Sequence, residues 1–135
     1  MWFNYSVCFF VLTSCGHSVI RDTAFFDAYI TSFEQESIIY GNAQKIINLI
    51  IKFETTLPKN IAGRCTENAT PLVQINVTTW EYISPERKEL LIFHELGHCI
   101  LGKGHDDTKL AIMNTNLLES YGNKRTELLI DFFRR

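Results

Sequence analysis

The stretch from Ser84 to His105 constrains this chain more than any other part. Ser84-Pro85-Glu86 supplies an N-cap residue, a proline suited to the first helical position and an early acid, so the spacing predicts a helix starting there. It should run to about Leu101, where Gly102 can take a positive φ and stop it. On the helical wheel Ile92, Phe93, Leu96, Cys99 and Ile100 share one side, and Leu90 and Leu101 flank the other. A helix that is apolar nearly all round is buried, so the remaining elements must pack around this one.

The same stretch concentrates titratable side chains. Three of the chain's four histidines fall in His94-Glu95-Leu96-Gly97-His98-Cys99-Ile100-Leu101-Gly102-Lys103-Gly104-His105. Residues four apart on a helix differ by about 40° in direction, so His94 and His98 project from one face, one turn apart. Two imidazoles so placed can hold one metal ion. Gly102 and Gly104 permit a reversal that swings His105 back towards them as third ligand, with Asp106, Asp107 or Glu119 as alternative donors. Glu95 lies about 100° round from His94, beside the metal face and poorly placed to be a ligand. That is where a general base is wanted: three protein ligands on Zn2+ leave a fourth position for water, whose proton a neighbouring carboxylate can take and later hand on. The competing reading is ordinary core packing, with the histidines satisfied internally.

The other elements follow from periodicity. Phe25, Phe26, Tyr29, Ile30 and Phe33 recur at helical spacing from residue 22 to about residue 40, and Gly41-Asn42 closes that helix. Residues 46–53 are rich in β-branched side chains and read as a strand. Pro58, Asn60 and Gly63 mark loop, and residues 72–77 alternate as a second strand. A last helix, from about Leu117 or Thr126 to Phe133, brings Leu128, Leu129, Phe132 and Phe133 to the core. The fold expected is α+β: a short mixed sheet, an N-terminal helix, a central metal-binding helix and a C-terminal helix. At 135 residues without repeat or linker, one domain is expected. A formal charge of −2 offers no large positive field for a polyanion, so nucleic acid is not an expected partner.

The N-terminal segment is different in kind. Residues 1–14 carry no charged side chain, and Val7 to Leu12 form an apolar block too short to span a bilayer. The block runs into Leu12-Thr13-Ser14-Cys15, which resembles a bacterial lipoprotein signal peptide ending in a lipobox. The resemblance implies that residues 1–14 are removed, that Cys15 carries the lipid, and that residues 15–135 form a domain tethered to a membrane of the cell envelope, with the outer membrane or cell surface favoured. Cysteine use agrees with export. The body then keeps only Cys65 and Cys99 besides the anchor, and a bridge between them would close a loop of roughly 34 residues and contribute about 3 kcal/mol.

The histidine stretch resembles the zinc-binding helix of the metzincin metalloproteases, His-Glu-x-x-His-x-x-Gly-x-x-His. Three residues rather than two separate His98 from Gly102, so the glycine and the third histidine arrive one position late. Downstream, Ala111-Ile112-Met113-Asn114 resembles the Met-turn, which places a methionine (here Met113) under the zinc. With the lipobox and the small body, the chain is similar to small metallopeptidase-type lipoproteins of bacteria. The resemblance covers chiefly residues 90–115. It implies a minimal metzincin-like domain, monomeric, with zinc on His94, His98 and His105, Glu95 as general base then acid, and a peptide or protein substrate lying along the edge of strand 72–77. The alternatives are a gluzincin-type site using Glu119, and a non-catalytic, zinc-stabilised lipoprotein acting as a binding module.

Overall fold

A computed structural model describes residues 26–134. Residues 1–14, expected as a leader, Cys15 and the first turn expected of the N-terminal helix lie outside the described residues. The elements run α1 (Asp27–Ile39), β1 (Ile50–Glu54), β2 (Gly63–Thr66), β3 (Leu72–Asn76), α2 (Val77–Tyr82), α3 (Pro85–Cys99) and α4 (Arg125–Phe133). They form an α+β domain with a small mixed sheet, ordered β1-β3-β2, in which β1 runs parallel and β2 antiparallel to β3.

α3 starts as its sequence dictates: Ser84 Oγ accepts the N–H of Arg87 and Pro85 occupies the first turn. Every residue from Leu90 to Gly97 is buried, so α3 is the central element, packed on α1, β2 and β3. Phe33 of α1 meets Phe93 of α3 edge-on at 5.4 Å and Phe133 of α4 at 5.2 Å, which ties three helices together at one aromatic junction. Ile51, Val73 and Ile75 supply the fully buried face of the sheet. Gly41, at φ 91°, ends α1, and the N–H of Asn42 reaches back to the carbonyl of Ser37.

Three expectations need correction. Residues 46–49 are not strand, because the Glu34 carboxylate on α1 takes the backbone N–H of Ile46 and sheet pairing begins only at Ile50. Gly63–Thr66, expected as loop, is the strand β2; Gly-Arg-Cys-Thr has no alternation to announce it, and its pairing with Leu72–Ile75 makes it one. The strand 72–77 ends at Asn76, whose side chain accepts the N–H of Thr78 and caps α2, a short helix that buries Trp80 against Phe26 and Phe53. The last helix takes the later of its two expected starts, beginning at Arg125, and residues 117–124 are not helical.

The order of the strands bears on function. β3 is central, hydrogen-bonded on both sides, so its edge cannot take a substrate as the fold analogy implied. Among the described residues, the strand with an unpaired edge beside α3 is β2.

Candidate metal centre

α3 presents Arg87, Leu91, His94, Glu95 and His98 to one side, where they line an open cleft of about 940 Å³ with β2 and the loop carrying His105, Thr115 and Leu117. Beyond Cys99 the helix unwinds tightly: Ile100 donates to Leu96, Gly102 takes φ 62°, and the N–H of Lys103 returns to the carbonyl of Gly97. The chain therefore reverses over the end of its own helix. The one extra residue before Gly102 is absorbed in this reversal, and His105 returns to the pair.

The three Nε2 atoms form a nearly equilateral triangle: His94 to His98 is 3.2 Å, His98 to His105 is 3.2 Å, and His94 to His105 is 3.3 Å. Donors at about 2.0–2.1 Å from a tetrahedral ion stand ~3.3 Å apart, so the triangle has the size that three vertices of such a site require. The proton positions agree. Nδ1 of His94 lies 2.8 Å from the carbonyl of Ile112, and Nδ1 of His98 lies 2.7 Å from that of Lys103. A carbonyl only accepts, so both Nδ1 atoms carry a hydrogen, and in the neutral rings it is Nε2 that presents a lone pair to the centre. Converging lone pairs repel unless a cation lies among them. Three histidines are thus placed to bind a metal ion, with chemistry compatible with zinc.

Burial pushes the His94 imidazole down to about 4, against the Ile112 carbonyl and helped by the other two histidines, which favours the neutral form that a ligand needs. Glu95 is only 4% exposed. Burial pushes its carboxyl up to about 7, opposed by the backbone N–H of Cys65, which donates to it from β2. Gly63 makes room for it: a Cβ there would stand 2.7 Å from Glu95 Oε1.

Gly97 does the same for Met113, since a Cβ on Gly97 would collide with the methionine sulfur. Met113 is buried against α3, in a turn closed by the Asn114 N–H on the Ala111 carbonyl. The turn positions the site directly through the Ile112 carbonyl, and it is tied to the residue after His105 by the Asp106 N–H on the Met113 carbonyl, 2.9 Å. The other candidate donors are engaged elsewhere: Asp106 accepts from Thr108, Asp107 from Thr115, and Glu119 pairs with Arg87 at 2.8 Å. The expected bridge is present, with Cys65 of β2 joined to Cys99 at the end of α3, Cα to Cα 5.6 Å.

Sequence reasoning missed the carbonyls of Ile112 and Lys103, the N–H of Cys65, and Gly63. Backbone groups carry no residue-type signal, and Gly63 read as an ordinary loop glycine. No protein-family model, curated protein or solved structure matches this chain.

Proposed function

We propose that this protein is a zinc-dependent metallopeptidase, related to the metzincin type, whose domain is tethered to a membrane of the cell envelope through Cys15. The observation that carries the reading is the triangle of His94, His98 and His105 Nε2 atoms beside the buried Glu95 carboxyl in a cleft open to solvent. Zinc held there by three neutral ligands would acidify water and polarise a carbonyl. His94 and His98, locked by their Nδ1 hydrogen bonds, keep the donor geometry fixed throughout a reaction.

Glu95 takes the proton of the attacking water and later passes it to the departing amine. A carboxyl raised towards neutrality suits both duties better than one near its ordinary value. The N–H of Cys65 faces this carboxyl, and β2, unpaired on its outer side among the described residues, offers main-chain donors and acceptors to an extended peptide alongside. Residues 1–14 are read as a leader that is removed to leave Cys15 as the lipidated first residue. Among the described residues no helix is long and apolar enough to cross a membrane.

Glu95→Gln should retain one zinc per chain and lose about 10²–10⁴-fold in cleavage of a quenched-fluorescent peptide library. Cleavage at the parental rate by zinc-loaded Glu95→Gln would remove Glu95 from the chemistry. No cleavage by the zinc-loaded parent would favour a binding module.

A further inference from the structure

At the far end of the cleft from His105 lies a side chain that neither the metal centre nor the fold uses fully. Arg87 is seven residues before His94 on α3, which puts both on one face about 10 Å apart along the axis, with Leu91 between them. Its guanidinium makes one ion pair, Nη1 to Glu119 at 2.8 Å. Its Nε is buried and has no hydrogen-bond partner among the described residues.

The pair with Glu119 holds Arg87 only weakly, because the Glu119 side chain is 79% exposed and a pair so open to water is worth little. Structural arginines in this molecule are held differently: Arg125 contacts both Glu36 at 2.7 Å and Glu89 at 3.0 Å. A guanidinium that lines the cleft and is capped at Nη1 by an exposed, displaceable carboxylate can take a substrate carboxylate in that carboxylate's place.

We propose that Arg87 is a specificity-determining residue that binds a carboxylate of the substrate, about three residues from the metal, and that Glu119 occupies this position in its place when the cleft is free. The spacing follows from ~3.3 Å per residue of an extended peptide against the ~10 Å along α3. The proposal rests on the peptidase reading. It adds the substrate class: peptides bearing an acidic side chain, or a free C-terminal carboxylate, at that distance.

The test uses three-residue peptide hydroxamates, which chelate an accessible zinc ion, titrated into the zinc-loaded protein. Two series carry the hydroxamate at the C-terminal or the N-terminal end, so that the far residue falls on either side of the metal. Each carries Glu or Gln at the far residue, and the second also ends in a carboxylate or an amide. In one series the charged form should bind about ten-fold tighter. Which carboxylate earns the preference distinguishes acidic side chain from chain terminus. Arg87→Met should abolish the preference with zinc still stoichiometric, and Glu119→Gln should widen it. Should Arg87→Met fail to fold, the Glu119→Gln result decides. Equal binding of charged and neutral forms by the parent, or a preference unchanged by these variants, overturns the proposal and leaves the peptidase reading standing. Zinc-loaded protein that binds no hydroxamate at all overturns both.

Discussion

The two ends of the cleft are held in opposite ways. Around the metal centre the ring nitrogens of His94 and His98 that face away from the triangle each have a backbone carbonyl, Glu95 has the N–H of Cys65, and two glycines clear space for Glu95 and Met113. At the other end Arg87 is held, among the described residues, by one exposed partner, Glu119. The first arrangement fixes a geometry before any ligand arrives, at the expense of burying ionisable groups. The second leaves capacity for a ligand that varies. Rigid polar constellations suit an ion with set bond lengths, and under-satisfied ones suit a partner whose shape is only partly specified.

The sharpest way to break this contrast is His105→Ala. Removing one corner of the triangle should lower zinc affinity by about 10²-fold or more, read by competition with a chromophoric chelator. Unchanged affinity would show that the third donor lies elsewhere.

A smaller effect separates Glu95 from its surroundings. In the metal-free protein its carboxyl keeps a proton up to about 7, whereas the unfolded chain releases it near the ordinary value of 4.5. The folded state binds more protons in that interval, so this group's contribution to stability falls as pH rises from about 4.5 to about 7, and is flat above. His94, pushed down to about 4, has the opposite slope between there and 6.5. That slope is common to both proteins and cancels when Glu95→Gln is compared with the parent. The metal-free variant should gain up to about 3 kcal/mol on the parent at pH 8, relative to their difference at pH 4, by urea denaturation. A constant difference across pH would mean that Glu95 is not buried as a titrating group.

The smallest effect is expected at the open end. Arg87→Met removes a weak surface pair together with an unmade buried donor, and should cost no more than about 1 kcal/mol of stability with zinc affinity unaltered. A loss of several kcal/mol would make Arg87 a structural residue and erase the contrast.

The parts legible in the sequence are those whose reasons are local. Ser84, Pro85 and Glu86 announce the start of α3, and Gly102 adopts the positive φ that turns the chain back. The i, i+4 histidines needed only the helix to share a face. β2 was illegible because four residues without alternation become a strand only through β3. The span 46–49 misled because its β-branched composition was outweighed by one side chain on α1, Glu34. Arg87 carried no signal either, since a lone arginine on a helix resembles a solvated charge until its Nε is seen to be enclosed.

The Cys65–Cys99 bridge joins the edge strand to the very helix that carries two of the imidazoles. One wall of the groove is consequently strapped to its floor by a covalent bond and cannot swing outward. Any widening that admits a bulky chain must come from the opposite rim, where Thr115, Leu117 and Glu119 belong to no helix or strand. Breathing of this groove is therefore one-sided, a hinge with a single moving leaf.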